Sequence, residues 1–242
     1  MSESIPTGCS TVDELLDGGL ERGAVTQIYG PPAAGKTNLA LSAAVGVAAR
    51  GGTALYIDTE GLSVDRLEQL ARARVAEMDD PDATVEDLAS RIIITEAYDF
   101  DEQAEAVRDA AEFADRVDIV VLDSATGFYR LARDDEDGGA ALRDVARQVT
   151  HLLSLARKHD LAVVITNQVY ADPESESERP RPLGGHTLTH WSGVVLRVER
   201  FRAGNRRATL EKHRSKAAGE TARFRITEDG LEGVEEGSPA EF

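Results

Sequence analysis

Eight residues, GPPAAGKT at positions 30–37, constrain this 242-residue chain more than any other stretch. They fill the pattern G-x-x-x-x-G-K-T. The apolar run AVTQIYG (24–30) precedes them and the alanine-rich GKTNLALSAAVGVAAR follows. A strand that turns through glycines straight into a helix points successive backbone N–H groups into one concavity, at the positive end of that helix. Such a concavity suits the phosphates of a nucleotide. Lys36 is then expected to reach the β- and γ-phosphates, and Thr37 to set its hydroxyl on Mg²⁺. The loop residues are Gly30, Pro31, Pro32, Ala33, Ala34, Gly35, Lys36, Thr37 and Asn38. A chance glycine–proline turn is the competing reading, and the strand before and helix after argue against it.

The rest of the chain repeats that alternation. Apolar runs at 53–60, 91–95, 117–124 and 161–168 read as strands. Between them lie the helical stretches SVDRLEQLARAR, with Ser63 as N-cap, DEQAEAVRDAAEFAD and AALRDVARQVTHLLSLARKH. This is the pattern of β/α units around a parallel sheet. After position 190 the texture changes: WSGVVLRVERF, RRATLEKHR and ETARFRITE read as antiparallel strands turned at Gly204 and Gly219. No repeat and no linker interrupts the chain. The expected architecture is α/β, one domain over 1–242, with a mostly parallel central sheet, a lead-in over 1–22 and a C-terminal antiparallel extension over 191–235. Two acidic loops, ARDDEDGG (132–139) and ADPESESERPRPLGG (171–185), follow core strands at the carboxyl end of the sheet. Open α/β folds place their ligands there.

A phosphate loop predicts further groups. Asp123 ends the apolar run DIVVLDS, where it is expected to hold the metal through water. A carboxylate must orient and deprotonate a water near the γ-phosphate; Glu60, closing YIDTE, is the candidate, with helix capping as its alternative. Asn167 and Gln168 end VVITNQ, and Gln168 is placed to report nucleotide state to the acidic loop beyond it, unless both are merely polar strand ends. The five histidines lack metal-ligand spacing; His186 and His190 stand four apart but in a stretch that reads as loop. No Ser-His-Asp arrangement appears.

Net charge is −17, and 23 arginines stand against four lysines. Acid spread this evenly speaks of life in concentrated salt rather than of a substrate. One cysteine, Cys9, excludes an intrachain disulfide. No apolar run is long enough for a bilayer and the N-terminus shows no signal pattern, so a cytoplasmic protein without membrane contact is expected. Against the acidic background, residues 201–225 carry eight basic and two acidic residues. Three readings of Arg206, Arg207, Lys212, Arg214 and Lys216 stand open. They touch DNA, they touch a neighbouring subunit's ATP, with Lys212 and Arg214 on one side of a strand, or they protect an exposed strand edge.

The stretches TGCSTVDELLDGGLERGAVTQIYGPPAAGKTNLAL, ALYIDTEGLS, IVVLDS, VVITNQV and LEKHRS…FRITEDGLEGVE resemble the RecA/RadA recombinase family, and most of all an archaeal RadA paralogue. The resemblance covers 5–235. It implies a RecA-like core, binding of ATP and Mg²⁺, and binding of DNA, single strands before duplex. It also implies an accessory, mediator role beside the RadA recombinase in recombination and repair, with a Holliday junction resolvase and a second copy of the chain as further partners. A salt-loving archaeal source would account for the acid excess. Arg66 is similar to the family's adenine-stacking arginine, one residue nearer Glu60 than usual. The chain starts almost at the core, without the family's N-terminal helical DNA-binding domain. Its acidic loops stand where recombinases line their DNA channel and would repel phosphates. Strand exchange is therefore not expected, and ATP hydrolysis, at most DNA-dependent, is expected to be weak. The rival from another class is a KaiC-like regulatory ATPase that works through protein partners, a group that shares the core and a Lys-x-Arg like Lys212–Arg214.

Overall fold

Apolar runs become strands that are buried at every position: β1 (Val25–Tyr29), β2 (Ala54–Asp58), β4 (Ile119–Asp123) and β5 (Ala162–Asn167). Burial of both side-chain rows requires cover on both faces of the sheet. In the computed structural model, which describes residues 3–129, 138–170 and 181–235, helices supply it. On one face α2 (Lys36–Ala49) packs with Ile28, Tyr56, Val121 and Val164. On the other, α5 (Phe100–Phe113) and α6 (Gly138–His159) meet Leu55, Ile57, Val120, Leu122, Val163 and Ile165. The split follows the two-residue period of a strand, so neighbouring residues of β2 and β4 serve opposite cores. Helix α2 is built of alanine, valine and leucine and is buried nearly all round, as a helix without a polar face must be.

The remaining elements are α1 (Ser10–Leu15), α3 (Val64–Ala76), α4 (Val85–Ala89), β3 (Ile92–Glu96), β6 (Val169–Tyr170), β7 (Arg181–Pro182), α7 (Gly185–Trp191), β8 (Val194–Arg200), β9 (Arg206–Lys212), β10 (Thr221–Ile226) and β11 (Leu231–Val234). Nine strands form one sheet in the order β11-β10-β9-β8-β1-β5-β4-β2-β3. From β8 to β3 every pair is parallel, and β9, β10 and β11 are added antiparallel. The mixed sheet expected from the sequence is present, and Ser63 caps α3 by accepting from the Arg66 N–H at 3.2 Å.

Three features depart from the expectation. Residues 185–191 are a helix, α7, not a loop; Gly184 opens it in the left-handed region (φ 78°) and buried Leu188 anchors it. Seven residues with a single apolar anchor show no readable period. A two-residue ladder, Val169 with Pro182 and Tyr170 with Arg181, draws together the ends of the second acidic loop. Third, β11 extends the sheet beyond β10. Most of both acidic loops lies outside the described residues. Among the described residues, no helix is long and apolar enough to cross a membrane.

Candidate nucleotide site

The loop between β1 and α2 is held by close approach. A Cβ on Gly30 would lie 1.9 Å from the Val198 carbonyl oxygen of β8, and one on Gly35 would meet Ile226 Cδ1 at 3.0 Å. Gly35 caps α2 with φ 106°, offers no side-chain hydrogen bond, and no acidic residue occupies the first turn. The first N–H groups of α2 are therefore left for a ligand. Lys36 is only 8% exposed, and its Nζ donates to the loop's own carbonyls, Gly30 at 3.0 Å and Pro31 at 3.1 Å. Among the described residues it forms no ion pair. Burial pushes its pKa down, while Glu60 and Asp123 pull it back up. A desolvated cation at the start of a helix without a side-chain cap fits a nucleotide polyphosphate.

Asp123, at the end of β4, is buried and fully engaged. Tyr56 donates its phenol to Oδ2 at 2.7 Å, and the Thr166 hydroxyl donates to Oδ1. Burial raises the Asp123 pKa, and hydrogen bonds from Thr166, Tyr56 and Thr37 oppose that rise. Tyr56 is held protonated far above the usual phenol range by burial and by Asp123.

Glu60 is aimed by the residue two before it. The Asp58 carboxylate accepts the N–H groups of Glu60 and Gly61, each at 3.1 Å, and of Leu62 at 2.5 Å. This turn carries Glu60 back over the end of β4. There its Oε1 accepts from Ser124 Oγ and Gln168 Nε2, both at 2.8 Å. Asp58→Ala is expected to remove all three caps, costing about 3 kcal/mol of unfolding free energy in denaturant melts. The Glu60 cluster then loses its position. A stability within about 1 kcal/mol of the parent would contradict this.

Glu60 and Gln168, chosen from sequence, are brought together, and Lys36, Thr37 and Asp123 lie at the same end of the sheet. Asn167 has a different post: it accepts from Thr126 Oγ1 at 2.6 Å and donates to the Leu183 carbonyl at 2.7 Å. Leu183 N in turn donates to the Gln168 carbonyl at 2.8 Å, so the segment after the second acidic loop is pinned beside Gln168. Tyr56 and Ser124 were missed by sequence reasoning; a tyrosine inside a strand and a serine after an aspartate carry no pattern of their own. Arg66 Nε donates to Asn38 Oδ1 at 2.8 Å. The rest of its guanidinium is bound to the β10–β11 turn, at the carbonyls of Thr227 (2.9 Å) and Glu228 (3.0 Å).

The basic segment is tied down internally. Arg206 donates to the Gly204 carbonyl and Arg207 to Glu199. Arg214 reaches Glu21 at 2.7 Å. Lys212 caps the end of α7 through the carbonyls of Thr189 (2.8 Å) and His190 (3.2 Å), and Lys216 does the same at the end of α1 on Glu14 (2.9 Å) and Leu15 (3.1 Å). Two expectations need correction. Arg214 lies beyond β9, so it shares no strand face with Lys212. And β9 sits between β8 and β10, so its cations protect no edge. His186 and His190 share one helix after all, yet among the described residues no group of three or more side chains able to hold a metal includes them.

A glycine-rich phosphate loop, a buried strand-end aspartate two strands away and a glutamate–glutamine pair, on one mixed sheet, define a RecA-like P-loop core. The Rad51 family profile matches residues 3–234, and the chain belongs to that family. It is 63% identical over 229 residues to the DNA repair and recombination protein RadB of Halobacterium salinarum, covering 94% of each chain. To the protein of the same name from Methanococcoides burtonii it is 42% identical over 233 residues, 96% of this chain and 98% of the relative. Among solved structures, the crystal structure of the RadB recombinase superposes with a TM-score of 0.78 at 36% identity, covering 96% of this chain and all of that one. The resemblance to an archaeal RadA paralogue read from the sequence is borne out.

Proposed function

We propose that the chain is an ATP- and DNA-binding accessory protein of homologous recombination and DNA repair, with weak ATPase activity and no strand exchange of its own. The observation that carries the nucleotide part is Lys36, a buried ammonium with no ion pair among the described residues, at the mouth of an uncapped helix. In this reading the loop N–H groups and Lys36 would hold the phosphates, and Thr37 and Asp123 would hold Mg²⁺. When bound, Mg²⁺·ATP supplies a γ-phosphoryl group open to attack by water. Glu60 keeps Oε1 on Ser124 and Gln168, and among the described residues Oε2 accepts nothing, so Oε2 is the atom that takes the proton from that water. Asp123, with both oxygens engaged, does not compete for it. Gln168, bonded to Glu60 by side chain and to Leu183 by backbone, links the nucleotide to the ends of the second acidic loop.

The recombination role is supported by the relatives' names, DNA repair and recombination protein. The acidic composition of the loops at 132–139 and 171–185 supports an accessory role, with RadA and a Holliday junction resolvase as partners, over a filament that grips DNA by itself. The regulatory-ATPase alternative rests on Lys212 and Arg214, and those cations are committed to a helix end and to Glu21. Glu60→Gln is expected to keep ATP binding and lower hydrolysis about a hundredfold, as removal of a general base does. Phosphate release in the presence of single-stranded DNA measures it. Turnover unchanged by the substitution would remove Glu60 from this role.

A further inference from the structure

We propose that the groove around Trp191, between the C-terminal ends of α6 and α7, is a binding site for single-stranded nucleic acid. The assignment rests on the DNA-binding reading above and gives it a location away from the phosphate loop. Trp191 is the chain's one tryptophan, and it is 40% exposed at the last position of α7. His190 meets it edge-on, with ring centroids 5.0 Å apart and planes at 84°, which holds the indole upright. Trp191 borders two depressions, one shared with Ser154, Arg157 and Lys158 of α6 and the other with His186, Thr187 and Lys212. Among the described residues no carboxylate lines either side, in a chain whose net charge is −17.

Arg157 and Lys158 are exposed, and among the described residues neither makes an ion pair. The cations of the 206–216 segment, by contrast, are engaged with Glu199, Glu21 and carbonyl oxygens. Lys212 covers the negative end of α7 and so removes what would repel a phosphate there. Compensation of the α6 dipole alone would account for Arg157 and Lys158, but not for an indole left open to water beside them. An acidic peptide would use the cations and leave the indole idle. An unpaired base uses both, stacking on the ring while its phosphates meet the side chains, and a duplex offers no free base face. Other aromatics suited to this role are taken: Tyr129 is buried, and Phe201 lies under Arg207 and Arg223, each 5.0 Å from its centroid. Exposed Tyr98 stands among carboxylates, its phenol on Glu96 and its N–H on Glu102. Stacking also survives the concentrated salt in which counter-ion release loses its driving force.

Because Trp191 is the chain's one tryptophan among five tyrosines, fluorescence excited at the red edge, where tyrosine does not absorb, reads this side chain. Titration with unlabelled oligo-dT is expected to quench it in a saturable way, in step with the anisotropy of a labelled oligo-dT. Trp191→Ala is expected to weaken the anisotropy-measured affinity about tenfold or more, and Trp191→Phe to keep most of it. The pair Arg157→Ala and Lys158→Ala is expected to flatten the log–log salt slope by about 1.4 units, about 0.7 for each phosphate no longer neutralised. Circular dichroism melts check that each variant folds. Anisotropy without quenching, unaffected by these substitutions, overturns the Trp191 site while DNA binding stands. No anisotropy change at low salt overturns DNA binding itself and the site with it. Quenching by polyglutamate but not by oligo-dT assigns the groove to an acidic protein and also overturns the proposal.

Discussion

Lys36→Ala is expected to lower ATP affinity at least about a hundredfold in isothermal titration, since two charge-assisted hydrogen bonds at roughly 1.5–3 kcal/mol each would disappear. The apo-protein is expected to melt no lower than the parent, because the substitution takes away a buried cation rather than a packed apolar group. Retained ATP affinity would sink the phosphate-loop assignment. A pH signature accompanies it. Burial lowers the Lys36 pKa in the folded chain, so between that lowered value and the ordinary lysine value of 10.5 the unfolded chain binds more protons. Stability of the apo-protein from this group therefore rises with pH across that window. ATP affinity runs the other way, falling as the ammonium is lost. Both dependences are expected to vanish in Lys36→Ala.

Gly30→Ala is expected to damage the fold itself. The new Cβ would stand 1.9 Å from the Val198 carbonyl oxygen and 3.0 Å from its carbon, and backbone atoms cannot rotate away. Either β8 separates from β1, where Tyr29 pairs with Arg197, or the phosphate loop moves off its strand. A loss on the order of 4 kcal/mol is expected, which lowers the melting temperature by roughly 8–16 °C in a chain of this length. Gly139→Ala is the control. Among the described residues no atom outside its own helix backbone and chain neighbours lies within 4 Å of its Cβ, and it sits in α6, so the substitution is expected to stabilise by about 0.5–1 kcal/mol. Equal melting curves for Gly30→Ala and the parent would show that the loop and β8 do not touch.

The parts of the site legible in the sequence are those whose logic is local. The phosphate loop, the strand ending in Asp123, the strand leading to Glu60 and the Asn167–Gln168 end all announce themselves through apolar runs and a change to polar residues. Their mutual geometry was not legible, because it depends on strand order. Glu60 meets Ser124 and Gln168 only because β4 lies between β2 and β5. The basic segment misled for the same reason. Its charge count is visible in one dimension, but Glu21, 193 positions from Arg214, and the α1 carbonyls, about 200 from Lys216, are visible only in three. Helix α7 fell below the length at which a period can be seen, and with it went the exposed Trp191.

The C-terminal strands bear on how the protein is made. Gly30 is seated against β8, Gly35 against Phe224 and Ile226, and the Thr11 hydroxyl donates to the Arg223 carbonyl across 212 positions. None of these partners exists while the ribosome is still translating the middle of the message. The phosphate loop emerges before these partners and stays unsupported until β8 and β10 follow it, and pairings of such long range close slowly. A nascent chain arrested before β8 would carry the full ATP signature in its sequence and no formed pocket to use it.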